Sequence, residues 1–598
     1  MSAVNQELTA ASLPRSVSEP LRSQLYTIAS AIPSIQLDPS LSNSFSTTFP
    51  INGLHQSIFA VQAGIWSAMG FNGIVTSQSN RWDMLSPTAA PVPSQPTVNV
   101  AMMSNEYRAE AFNLSNCAQT NVQVTFALVG LPGGTNPNYV TVQQTEFTDT
   151  QVGSPVAAAL PFVQQQPGFY QMQIPPGLTS QVWLTFHPTN VPAAAYTGQI
   201  LLGGAAQNCA PILVKLQVYP FTFPAQPTLH LSGWDYTDQA NYLGFTSATR
   251  AALVQTLRQH YVDSPWALAP TLALGTYRPD GTMMTPPDPT AFRSWVSEWP
   301  NAPSYYVAVG FGSSFAGLSM GTPAWQQGVS NWINWWVAQL ALLYIQPAQL
   351  NLLLLDEPHT TAQDSIIIQY ANAINSAQPG VVIWEDPCWQ NPSQGTPALF
   401  QVSNVLCPPL PDVLAYGQNF ISFYLNLQPA GHRLWFYTAT TPGRLRDPYY
   451  LRMQEWFCWQ YGAVASAFWS FSDSGGASSW NEYASSTGAY TPLFLDSSSV
   501  TQGKQLEAIR EGIEDYEYLR MLRDRLAALL AQGAQSTALS NAQSLLASAC
   551  GTVLPQLATS SSNGGTNPPI DWRQPKDRSV ADKVRLQVLQ ALLQLSAL

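Results

Sequence analysis

Two adjacent carboxylates, Asp356 and Glu357, end the run Asn351-Leu-Leu-Leu-Leu-Asp-Glu-Pro358. Four leucines closed by acids and a proline read as a strand buried on both faces, as in the core of a parallel sheet. Carboxylates at the carboxyl end of such a strand lie where α/β barrels keep their reacting groups. In a regular strand the two side chains would point to opposite faces, but at a strand terminus the backbone can turn both toward one pocket. Like charges that close raise the pKa of one member, and a member held protonated can serve as an acid. Glu357 is then the proton donor, and Asp356 the charge that orients a neighbouring group. The plainer alternative has Asp356 capping the next helix and Glu357 solvated in a loop.

The elements around the pair carry further polar and aromatic side chains. Strand-like runs fall at 228–233, 267–274, 305–309, 351–355, 381–384, 404–406, 434–437 and 465–471, with helical stretches between most of them. Eight strands alternating with helices predict a (β/α)8 TIM-type barrel over 226–502. Its carboxyl-terminal face would gather Trp234, Asp235 and Tyr236 from the first strand, and Glu385 and Asp386 from the fifth. Tyr437 comes from the seventh, and Trp469 with Asp473 from the eighth. Carboxylates beside stacking aromatics are what glycoside hydrolysis requires, since one acid protonates the leaving oxygen while another group attacks or stabilises the oxocarbenium-like centre. Asp356 and Glu357 are the catalytic candidates. Trp234, Asp235, Tyr236, His359, Asp386, Tyr437 and Trp469 are the substrate-binding ones, with His359 read either as a rim residue or as a loop histidine. Glu385 and Asp386 are reserve acids for a mechanism with a protein nucleophile.

Other segments are read more coarsely. Residues 1–90 show two helix-like stretches, near 21–32 and 58–71, and a proline-rich linker at 86–96. Over 97–222, short alternating strands separated by Gly- and Pro-rich turns predict a β-sandwich without a cluster of catalytic side chains. A helical extension fills 503–598. The overall expectation is a multidomain chain: β-sandwich, barrel, then carboxyl-terminal helices. On the helix over 503–530, Arg510, Glu511, Asp515 and Glu517 read as surface ion pairs, with Arg510 the one residue suited to tie the helix to the barrel.

Among the 598 residues, hydrophobic side chains make up 45% and charged ones 10%, with a net charge of −11. The surface must therefore be largely neutral and polar, a composition common in exported or cell-surface proteins. Residues 1–25 nonetheless lack an export signal. No basic stripe argues for nucleic acid, no apolar run is long enough to span a bilayer, and no HExxH or calcium-loop pattern argues for a metal. No cofactor is expected, and no GxSxG elbow is present. Cys117 with Cys209, and Cys388 with Cys407, are candidates for pairing; free buried thiols are the other reading.

Two further motifs accompany Leu353-Leu-Leu-Asp-Glu-Pro358. They are Glu507-Ala-Ile-Arg-Glu-Gly-Ile-Glu-Asp-Tyr-Glu-Tyr-Leu519, and Gln454-Glu-Trp-Phe-Cys-Trp-Gln-Tyr-Gly462 with Ala467-Phe-Trp-Ser470. Together they resemble glycoside hydrolase family 123 over roughly residues 97–530. The resemblance implies a β-N-acetylgalactosaminidase using retaining, acetamido-assisted hydrolysis. Asp356 would then hold the substrate acetamido group and Glu357 would be the general acid/base. Tyr437 is added by position as a donor near the acetamido oxygen, and Trp469 as the floor of the sugar pocket. The partner implied is a glycan. The competing reading is a non-catalytic carbohydrate-binding or structural surface protein on the same scaffold.

Overall fold

A computed structural model describes residues 1–34, 47–150, 152–238, 247–439, 443–471, 479–482, 492–555, 557 and 570–598. Its centre is a parallel barrel. The strands in chain order are His230–Ser232, a second position split into Val262–Ser264 and Trp266–Leu268, then Tyr305–Ala308, Leu350–Leu353, Val382–Glu385, Val405–Leu406, Arg433–Ala439 and Ala465–Trp469. Every neighbouring pair is parallel, and the eighth strand returns to the first. The ring closes through the split second strand, whose first half pairs with strand one and whose second half pairs with strand three. Pro265 lies at the break, where it has no N–H to give a ladder. This strand begins upstream of the 267–274 stretch that the sequence suggested, because its continuous apolar run is interrupted there.

Strand alternation sorts the barrel side chains into two sets. Trp234, Trp266, Tyr306, Leu353, Trp384, Trp435, Tyr437 and Ala467 fill the interior. Leu352, Leu354, Ile383, Phe436 and Phe468 face the surrounding helices. The interior is packed with aromatic rings, such as Trp234 stacked on Trp266 at 4.7 Å, where aliphatic residues more often serve. Trp325, Val329, Trp332, Ile333, Trp336 and Leu340, which recur at helical spacing, are buried on the helix Pro323–Leu342 that follows the third strand.

Before the barrel lie a six-stranded and a four-stranded sheet, whose facing residues (Val98, Val100, Phe126 and Val214 from one; Phe112, Leu114, Val182 and Leu184 from the other) form one apolar core. Two amino-terminal helices, Arg15–Ala31 and Gly53–Ala68, pack together, and Gln62 of the second donates to Gly177 O at 2.6 Å. All six cysteines are free thiols. No helix among the described residues is long and apolar enough to cross a membrane.

The helix Lys504–Ala531 corrects an expectation. It is not a surface helix. It takes the eighth helical place of the barrel, packing against Pro448–Tyr461 on one side and reaching the end of the first barrel helix through His260 and Glu507, 2.9 Å apart. The two-sheet unit and the last helix, Val580–Ser596, cover its outside, so Glu507, Arg510, Glu511, Glu514, Asp515 and Glu517 are all buried. Gly512 sits at the crossing with Pro448–Tyr461, where a Cβ would come within 2.9 Å of Arg452 O.

Lys504, at the start of this helix, is 0% exposed, and its ammonium has no hydrogen-bond partner. It lies 5.6 Å from the ring centres of both Trp183 and Trp572. Burial pulls its pKa from 10.5 down to about 7. Between those pH values the unfolded chain holds a proton that the folded one lacks, so this group costs stability below pH 10.5, and the cost is complete near pH 7. Lys504→Met is therefore expected to stabilise the fold by on the order of 3 kcal/mol at pH 7. The gain should shrink toward zero as pH approaches 10.5. Guanidinium denaturation at pH 7 and pH 10 measures the difference, and equal gains at both would remove the titration argument.

Candidate active site

The fourth barrel strand stops at Leu353, and the chain turns sharply through Leu355, Asp356 and Glu357. Glu357 has φ = +47°, a left-handed conformation in which a glutamate is rare. Such strain persists only where surrounding contacts over-determine it, and it clusters at functional sites. Here three contacts hold the turn. Glu357 N donates to Asp386 Oδ1 at 3.0 Å, His359 Nδ1 donates to Glu357 O at 2.7 Å, and Tyr437 OH donates to Glu357 Oε1 at 2.6 Å. The Asp356 and Glu357 side chains remain open to solvent.

The surrounding electrostatics are acidic. Crowding by protein and then the charge of Glu357 raise the pKa of Asp356, against a lowering contact from Asp386. Burial, with the charge of Asp356 next, raises Asp386 well above the carboxylate range. Asp412, two residues into the helix Leu410–Leu425 that follows the sixth strand, is pushed to about 6 by burial and by the charge of Glu357. Nothing in the sequence flagged Asp412, since a single acid in the first turn of a helix reads as an ordinary dipole partner. Tyr437 is 4% exposed and its phenol pKa is raised by burial, so it stays a donor to Glu357.

The remaining sequence candidates fall into two groups. Tyr236, itself buried and at φ = +48°, accepts from Trp469 Nε1 at 3.3 Å, so the first and eighth strand ends meet. Trp234, Asp235 and Asp386 are buried. Trp234 belongs to the aromatic interior, and Asp235 accepts from Trp266 N at 2.7 Å and from the Thr237 hydroxyl at 2.7 Å. Of the reserve acids, Glu385 points away from the barrel interior. It is 0% exposed, accepts from Leu354 N at 3.0 Å, and burial drives its pKa well up. Asp473 lies outside the described residues. No cluster of His, Cys, Asp and Glu among the described residues could hold a metal ion.

A parallel α/β barrel carrying an acid-lined carboxyl-terminal face is thus the class that fold and site define. The sequence matches no protein-family model and no curated protein sequence. The resemblance read from the motifs has its counterpart in three dimensions. A family 123 glycoside hydrolase from Clostridium perfringens, studied for glycolipid glycan hydrolysis, superimposes with a TM-score of 0.64 at 11% identity, covering 88% of this chain and 99% of that one. A family 39 glycoside hydrolase from the gut symbiont Bacteroides cellulosilyticus WH2 matches at a TM-score of 0.36 and 9% identity, over 70% of this chain and 81% of its own. The first of these establishes that the two chains share a fold along nearly their whole lengths.

Proposed function

We propose that this protein is a glycoside hydrolase acting on glycans that contain N-acetylhexosamine, with β-N-acetylgalactosaminides preferred, by retaining, acetamido-assisted hydrolysis. Glu357 protonates the leaving oxygen while the substrate's own acetamido oxygen attacks C1, and the glycosidic bond breaks as a bicyclic oxazolinium closes. Asp356 accepts the acetamido N–H and balances the positive charge. Glu357, now a carboxylate, takes a proton from water, whose oxygen reopens the ring at C1 with net retention. Tyr236 and Trp469 would line the sugar pocket.

One observation carries this reading. The turn that exposes Glu357 exposes Asp356 with it, while Glu385 is turned into the barrel wall and Asp386 is buried beneath the turn. The fifth strand therefore offers no carboxylate for attack on carbon. Asp412 supports a second reading, a two-carboxylate mechanism in which it partners Glu357, because it is half-buried and close enough to feel that charge.

Matched aryl glycosides separate the readings. The β-N-acetylgalactosaminide is expected to turn over at least about 100-fold faster than the β-galactoside, since an internal nucleophile supplies the attack, and an N-acetylhexosamine thiazoline should inhibit tightly. Comparable rates would favour the Asp412 mechanism. Sugar binding without turnover of either substrate would favour the non-catalytic carbohydrate-binding protein.

A further inference from the structure

We infer that Asp386 is a positioning residue acting as a neutral carboxylic acid, one oxygen holding the turn that presents Glu357 and the other carrying a proton shared with Asp356. The inference rests on the reading above for its kinetic consequences only.

The fifth strand places Asp386 by alternation. Val382 and Trp384 face the barrel interior, and Asp386 is next on that side. It is 1% exposed. Its Oδ1 accepts from Glu357 N at 3.0 Å, whereas its Oδ2 is buried and receives no donor. A buried oxygen left without a partner costs about 1–3 kcal/mol. The neighbouring side chain is the Asp356 carboxyl, within hydrogen-bonding reach. Two carboxylates can bond to each other only through a proton. A proton on Asp386 Oδ2 satisfies that atom as a donor, leaves Oδ1 as a carbonyl oxygen for Glu357 N, and leaves Asp356 an anion.

The groups facing Asp386 fix which carboxyl keeps the proton. Asp356 and Glu357 face it from the fourth strand end, Glu385 and Cys388 from its own segment, Cys407 from the sixth strand end, Tyr437 from the seventh, and Tyr424 from the helix between those two. These neighbours are acids, thiols and phenols. In such company the more deeply buried carboxyl stays neutral: Asp386 is raised well above its ordinary range, while Asp356, raised by burial and by the charge of Glu357, is drawn partly back by its contact with Asp386. That contact favours the charged form of Asp356, which accepts the acetamido N–H more strongly than a protonated carboxyl would.

Asparagine copies this arrangement, its oxygen accepting from Glu357 N and its amide donating to Asp356. Alanine does neither. On an aryl β-N-acetylgalactosaminide, Asp386→Asn is expected to keep about a tenth or more of wild-type kcat, with the acid limb of its pH profile in place. Asp386→Ala should lose at least about 100-fold, with its acid limb displaced to higher pH as Asp356 loses its donor. Loss in the Asn variant equal to that in the Ala variant would mean that position 386 must be ionised, and would overturn the inference. A second readout needs no turnover. The infrared difference spectrum between wild type and Asp386→Asn at pH 7 should contain the carbonyl stretch of a protonated carboxyl. A carboxylate band in its place overturns the inference even if the protein proves not to be a hydrolase, and an inactive wild type with the protonated band present sinks the hydrolase reading alone.

Discussion

Glu357→Gln is expected to lower kcat on an aryl β-N-acetylgalactosaminide by about 10²- to 10⁴-fold, the range that general acid–base catalysis contributes, with KM changing little. The substitution is nearly isosteric. The amide oxygen can still accept from Tyr437 OH, which reaches Glu357 Oε1 at 2.6 Å, and the backbone bond to Asp386 is untouched. Binding is thus preserved while proton transfer is lost. The deficit should be larger for poor leaving groups, which need the proton most, and smaller for nitrophenolate, which leaves without it. Azide requires no deprotonation, so it should accelerate the second step in the variant and leave the wild type unaffected. A Gln variant with wild-type kcat across leaving groups would remove Glu357 from the chemistry, and the assignment of the strand-four turn with it.

The site was legible to the extent that its residues end buried strands. Leu352 to Leu354 announce a parallel core strand because a strand covered on both faces has no polar side, and the acids that stop it are conspicuous for that reason. The same logic located Glu385-Asp386, Tyr437 and Trp469. It did not reveal which way each acid points, since a one-residue difference in where a strand stops moves a side chain from the interior to the wall. Glu385 and Asp386 show the consequence, one outside the barrel at 0% exposure and the other inside at 1%. Asp412 was hidden because helix first turns attract acids for local reasons. The first half of strand two was missed and the second half drawn too long because Pro265 interrupts the apolar run. The eighth barrel helix was read as solvent-facing because its charges repeat like those of a surface helix. What covers them comes from the two-sheet unit and the carboxyl-terminal helix, separate segments that no periodicity within the helix reports.

That cover predicts the largest change in stability. Asp582, on the carboxyl-terminal helix, is contacted by Arg81 Nη1 at 2.9 Å, by Arg452 Nη1 at 2.7 Å and by Arg108. Glu511 on the eighth barrel helix meets the same three guanidinium groups at 2.7, 3.1 and 3.2 Å. Two carboxylates thus bridge three arginines that belong to the stretch after Ile74–Ser77, the first strand of the two-sheet unit, to a later strand of that unit and to the seventh barrel helix. Asp582 is only 21% exposed. Removing one partner from a buried ionic cluster leaves uncompensated charge, which costs about 3–5 kcal/mol. Asp582→Ala should therefore lower the denaturation midpoint by an amount near that range, more than a surface substitution would. The pH dependence has a definite sign. Burial opposes ionisation of Asp582, but the charges of Arg81, Arg452 and Arg108 outweigh it and hold its pKa well below 3.8. Its contribution is complete above the unfolded value near 4 and fades as pH falls through the lower folded value. The gap between wild type and variant should be constant from pH 5 to 8 and should close in acid. If Asp582→Ala unfolds no more readily than wild type at pH 7, the three arginines are being neutralised by Glu511 and its neighbours alone, and the carboxyl-terminal helix is not the clasp between barrel and sheets.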